Sequence, residues 1–328
     1  MVPPLFSSLL STGVPALTLH DATPMDLDQQ IDVFHGQASP AMAYVYARLN
    51  HVPADGDWQL QGRINGPACE HAHMLPATVP MLPQKSGPTP LACGHLPDPC
   101  YWSPRTPALY SVDIDVICDQ RHMTTVRRVL GIRTLGKKQN HLFFESRRWV
   151  LRAVDQNLVK SSTISQWRDA SASIWITDPD EATCIESSQQ GILLVADMRQ
   201  CSDNTLRFDK VRAISHWPSV AIILVRHDMQ IDDLVALRCP NILLAQYFPA
   251  GMQICPAATI GLVVVEVDTT QTFAKQIVKV SLPIAAIRRI TGAEHVPAAR
   301  ALCDRLQGDL APIGDFAGYI IKGDETQP

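Results

Sequence analysis

Three acids stand where short apolar runs of the chain end: Asp228 closes the run that opens at Val220, and Glu266 and Asp268 close the run that opens at Leu262. Two carboxyl groups about 5 to 5.5 Å apart can hydrolyse a glycosidic bond, one protonating the leaving oxygen while the other attacks the anomeric carbon. Glu266 and Asp268 are two residues apart and share side-chain parity on a strand, so with Asp228 they could form such a pair. The competing reading is plainer: charged residues cap strand ends because those ends meet water, and Arg226 lies close enough to neutralise Asp228. Cys69, His71 and His73 alternate as zinc ligands would on one face of a strand, but no fourth ligand is spaced nearby, and decoration of an edge strand is the expectation. There is no G-x-S-x-G turn, no Gly-rich phosphate loop and no base partner for Cys303, so nucleophilic hydrolase and nucleotide-binding chemistry find no support, and no cofactor is expected.

The elements that must carry these acids change character along the chain. From Gln30 to about Thr134, short alternating segments are separated by Pro, Gly and Asp, which is the grammar of a β-sandwich. The segment from Tyr110 to Ile117 is the clearest, with Val112, Ile114 and Val116 on a dry face and Ser111, Asp113 and Asp115 on a wet one. Beyond Leu142 the segments become wholly apolar and alternate with helix-like stretches, as parallel strands covered on both faces do. They run from Trp149 to Val154, Ser173 to Thr177, Ile192 to Asp197, Val220 to Asp228, Ile242 to Phe248, Leu262 to Asp268, Pro283 to Arg288 and Phe316 to Ile321. This pattern predicts a compact (β/α)8 barrel, and only about 180 residues against roughly 250 in a typical one require some helices to be short or missing. An incomplete barrel or an open doubly wound sheet is the alternative. The expected organisation is an irregular lead-in over 1–29, an immunoglobulin-like β-sandwich over 30–140, the barrel over 141–322 and a tail over 323–328.

Composition narrows the class further. With 328 residues, 46% hydrophobic and 18% charged, the chain can bury a core, and a formal charge of -4 with a pI near 6.2 offers no basic surface for nucleic acid or an anionic membrane. No apolar stretch reaches the roughly 18 residues that a membrane-spanning helix needs. The first 19 residues lack a basic n-region and are broken by Pro3, Pro4 and Pro15, which makes a poor signal peptide, so a cytoplasmic location is the default. Nine cysteines without C-x-x-C spacing are expected to be mostly reduced and buried.

Three stretches, in order, resemble glycoside hydrolase family 2, the group of β-galactosidases, β-glucuronidases and β-mannosidases. Trp102-Ser-Pro-Arg-Thr-Pro-Ala-Leu-Tyr110, followed by Gly131-Ile-Arg133, is similar to the W-x-P-x-x-P-x-L-Y and G-x-R landmarks of the family's immunoglobulin-like domain. Gly191-Ile-Leu-Leu-Val-Ala-Asp197 resembles the entry to its third barrel strand, and the segment from Trp217 to Asp228 resembles its fourth. The resemblance implies that Asp228 stands at the acid/base Glu and His227 at the sugar-contacting Asn. It implies that the nucleophile position, at the end of the seventh strand, holds Arg288 or Arg289, and guanidinium cannot attack an anomeric carbon. Where the family carries an R-x-S-H-x-P segment, this chain reads Trp175-Ile-Thr-Asp-Pro179.

The expectation is therefore a glycoside-hydrolase-like pseudoenzyme that binds carbohydrate or a protein partner, either a second copy or an active hydrolase. Its binding residues would be Trp175, Asp178, Asp197, His227 and Arg288. The alternatives are a divergent retaining glycosidase with Asp228 as acid and Glu266, Asp268 or the substrate itself as the substitute partner, and a scaffold without chemistry.

Overall fold

The computed structural model describes residues 27–50, 52, 56–84, 89–160, 162–201, 203–237, 239 and 241–324. Most of the expected lead-in, 1–26, and the end of the tail, 325–328, lie outside the described residues.

Seven strands, β1 (Ile31–Ala38), β2 (Met42–Leu49), β3 (Trp58–Ala68), β4 (Ala77–Gln84), β5 (Leu91–Pro97), β6 (Leu109–Cys118) and β7 (Arg121–Leu130), form one antiparallel sheet in the order β1-β2-β5-β4-β3-β6-β7. The sheet curls until its edge strands meet, and its inner face encloses Val45, Leu49, Leu60, Ile64 and Met81. On β6, Val112, Ile114 and Val116 are fully buried, as the alternation predicts. The opposite face is less open than expected at Asp113, which Arg127 Nε at 2.7 Å and Arg63 Nε at 3.1 Å cover, holding its carboxyl below the usual range. Cys69, His71 and His73 fall in the turn between β3 and β4 rather than along a strand, so the alternation does not put them on one face.

A second small sheet, β8 (Leu135–Lys138), β9 (His141–Phe144) and β10 (Arg147–Trp149), leads into the barrel. Its Leu142, Phe144 and Trp149 pack with Trp102 against Leu151, Leu193 and Leu262 at the starts of barrel strands, which stoppers the N-terminal end.

The barrel closes through eight parallel strands: β11 (Leu151–Asp155), β12 (Ser173–Thr177), β13 (Leu194–Asp197), β14 (Val220–Arg226), β15 (Leu243–Phe248), β16 (Leu262–Glu266), β17 (Ile284–Ile290) and β18 (Gly318–Gly323), with β18 pairing back to β11. Its connections hold α1 (Ile164–Asp169), α2 (Glu181–Gln190), α3 (Asn204–Ser215), α4 (Ile231–Ala236), α5 (Thr270–Ile277) and α6 (Val296–Leu310). Two of these helices are six residues long, and the connection from β15 to β16 has none, which is how eight units fit into so short a chain. Each strand is apolar throughout because alternate residues serve two cores. Val195, Ile222, Leu224, Val264, Ile287 and Ile320 fill the axis, while Ala196, Ile223, Val225, Val265 and Ala286 face the helices.

The motifs that carry the family resemblance join the two parts. Trp102 is fully buried and its indole N–H donates to the Ser188 carbonyl at 2.8 Å. Arg133, also buried, donates to the carbonyls of Pro218, Val220 (2.6 Å) and Asn241 (2.7 Å). Burial pulls its pKa down to about 9, still charged at neutral pH. Gly191 ends α2 at φ 75°, and a Cβ there would lie 2.6 Å from the Pro104 carbonyl oxygen.

Candidate functional site at the barrel mouth

Side chains that follow the axis-facing parity of their strands converge where the strands end, the face on which barrel enzymes work. Trp175 comes from β12, Asp197 from β13, Tyr247 from β15, Glu266 from β16 and Arg289 from β17. Arg199 reaches in from the loop after β13. Its Nε and Nη2 grip the Asp197 carboxylate at 2.8 and 2.7 Å, and its guanidinium carbon lies 4.1 Å from the centre of the Tyr247 ring and 5.7 Å from a ring of Trp175. Asp197 is 1% exposed and the Arg199 side chain 12%.

The network continues across the axis. The Tyr247 hydroxyl donates to Glu266 Oε2, Arg289 Nε donates to Glu266 Oε1 at 2.5 Å, and Arg289 Nη2 donates to the Tyr247 oxygen at 3.3 Å. Burial first, and then the neighbouring Glu266 carboxylate, push the Tyr247 phenol up to about 12. Burial works against the charge on Arg289, but its hydrogen bonds to Tyr247 and Glu266 outweigh that and raise it above its ordinary value. Both carboxylates of this cluster are thus held by arginine N–H donors, which occupy oxygens a nucleophile would need free.

The other acids and polar residues singled out in the sequence go elsewhere. β14 stops at Arg226, so Asp228 sits in the following turn, 47% exposed, with both oxygens on the Arg226 guanidinium. That pairing holds its pKa below the usual carboxylate value, opposite to the upward shift a general acid needs at neutral pH. His227 has the opposite parity and lies beside Phe248 of the helix-facing layer, ring centres 5.9 Å apart. Asp178, at φ 51°, pairs with Lys210 of α3. Arg288 also faces the helix layer and binds Asp309 of α6 at 2.5 Å, so Arg289, not Arg288, turns toward the axis. Asp268 is exposed beyond the end of β16.

Sequence reasoning missed Arg199 and Tyr247. Tyr247 has the same parity as the axis-facing Ala245, a readable signal. Arg199 lies past the end of its strand, where parity no longer places a side chain. Two cavities, of about 610 and 1260 Å³, are lined by other residues: one beside α5 and residues 251–254, the other between β1 and β7 and helices α2 and α3.

No family model matches the chain, and no curated protein does. Solved structures do match in fold. A β-glucuronidase from Ruminococcus gnavus superposes with a TM-score of 0.62 at 9% identity, over 89% of this chain and 60% of its own. A β-D-glucuronidase from Dictyoglomus thermophilum gives 0.60 at 11% identity, over 89% and 61%. A Bacteroides uniformis β-glucuronidase gives 0.58 at 11%, over 89% and 45%. The chain therefore spans about half to three-fifths of the length of these enzymes. At such identities the likeness is one of architecture: a β-domain followed by a closed parallel barrel, built as in glycoside hydrolases.

Proposed function

We propose that this protein is a glycosidase-fold barrel that does not hydrolyse glycosides and acts by binding at its mouth. The observation that carries the reading is the pairing of three acids in or beside the mouth with arginine: Asp197 with Arg199, Glu266 with Arg289, and Asp228 with Arg226. A retaining mechanism needs one carboxyl that is protonated before it acts and a second that is free to attack. The arginine N–H donors occupy the carboxylate oxygens that would be used. Arg289, on the strand where the family resemblance implies a nucleophile, supplies no replacement.

The test is a turnover assay of the purified chain against chromogenic β-glucuronide, β-galactoside, β-mannoside and β-glucoside, with Glu266→Gln and Asp228→Asn as controls. No turnover above the variants is expected. Hydrolysis that disappears in either variant would restore a divergent glycosidase using that carboxyl.

A further inference from the structure

Arg199 is held in a way that describes a ligand. A planar guanidinium with both edge nitrogens on one carboxylate and its face over an aromatic ring is the arrangement that selects guanidinium over ammonium. The carboxylate is Asp197, 1% exposed, and the rings belong to Tyr247 and Trp175, themselves 6% and 0% exposed. The walls of this cage stand on three barrel strands, β12, β13 and β15, whereas the group inside it comes from the loop that follows β13. The carboxylate grip is an i, i+2 contact, so rotation of the Arg199 side chain would empty the cage without moving a strand.

A second observation points the same way. The indole N–H of the fully buried Trp175 has no acceptor among the described residues. An arginine side chain cannot meet it, since guanidinium only donates. A ligand carrying an oxygen acceptor on the same skeleton as a guanidinium could satisfy both Asp197 and Trp175.

We infer that Trp175, Asp197 and Tyr247 form a binding cage for a guanidino acid, kept closed in cis by Arg199, which the ligand must displace. This rests on the reading of the mouth as a binding site. Closure in cis lowers apparent affinity by the fraction of molecules in which Arg199 is out, so removing the side chain should expose the intrinsic affinity.

The probe is free L-arginine, titrated calorimetrically into the full chain and into Arg199→Ala, with Arg199→Gln as the variant that keeps side-chain volume should the first not fold. Binding to a folded variant at least tenfold tighter than to the unaltered chain is expected. The ligands should rank L-arginine above methylguanidinium, which lacks the acceptor, and methylguanidinium above citrulline, which lacks the charge. Adding Asp197→Asn should abolish binding. Variants that bind L-arginine no more tightly than the unaltered chain, or any other ligand order, would overturn the inference. That failure would leave the turnover assay untouched, and turnover in that assay would overturn the non-hydrolytic reading whatever the titration shows.

Discussion

Asp197 and Asp228 each hold the guanidinium of an arginine two residues away through two hydrogen bonds, yet burial gives the two pairs different weight. Asp197 and Arg199 are 1% and 12% exposed, whereas Asp228 and Arg226 are 47% and 53% exposed. Removing one partner of a buried pair strands the other charge away from water, while an exposed pair exchanges its contact for hydration. Asp197→Asn should therefore destabilise the fold by about 3 kcal/mol in urea titrations. Asp228→Asn should leave the midpoint unchanged, and a large loss there would contradict the solvated placement of that acid. The acids themselves were legible in the sequence as charges closing apolar runs. Their partners were only partly so: Arg226 is local to Asp228, but Tyr247 and Arg289 reach Glu266 from neighbouring strands, a relation that depends on register and closure.

At the level of elements, all eight barrel strands were visible as continuous apolar runs, because burial on both faces leaves a strand no polar side to show. Their ends were less well marked. β14 stops two residues early because Asp228 folds back onto Arg226 in the turn, and β17 runs two residues past Arg288, which is what turns Arg289 toward the axis. Closure was suggested by the count of eight strands but not fixed by it, since it is set by the pairing of β18 with β11, distant in sequence. The first domain reads as a sandwich from its alternation, and the structure builds it by curling one antiparallel sheet until its faces close over a shared core. Gly191 shows how an element end serves the assembly: it terminates α2 in the left-handed region and lets the Pro104 carbonyl approach. Gly191→Ala should cost about 2 kcal/mol or more, from strain at positive φ and the lost approach. An alanine variant with unchanged melting behaviour would show that the contact is not needed.

The molecule as a whole is held across its two parts by Arg133 and by the His35 carbonyl, which accepts from the Asn241 amide at 3.0 Å, and the His35 ring supports Arg133: its Nδ1 lies 3.0 Å from the Gly36 carbonyl while Nε2 accepts the Arg133 backbone N–H at 3.4 Å. The contact at Nε2 requires neutral imidazole, because an accepting ring nitrogen must keep its lone pair. Burial, with the Arg133 charge adding to it, depresses the His35 pKa to about 4, and burial with nearby Arg128 does the same for His216. An unfolded histidine takes its proton near pH 6.5, so between there and about pH 4 the unfolded chain binds more protons and folding weakens as the pH falls. For His35 this amounts to about 3 kcal/mol over that window. The loss should shrink in His35→Gln, and a flat stability profile from pH 7 to 4 would remove this role for the histidine. The landmark residues Trp102, Gly131 and Arg133 thus have architectural work, which explains why a family resemblance can be read from them whatever chemistry the mouth carries. The most direct measurement of that chemistry is intact-protein mass after incubation with β-configured cyclophellitol aziridines, whose ring a free glycosidase nucleophile opens to form a covalent ester. The paired carboxylates predict an unlabelled chain. A stoichiometric adduct mapping to Glu266, Asp197 or Asp228 would contradict the account, because it would place an attacking carboxylate where arginine is held to have quenched it.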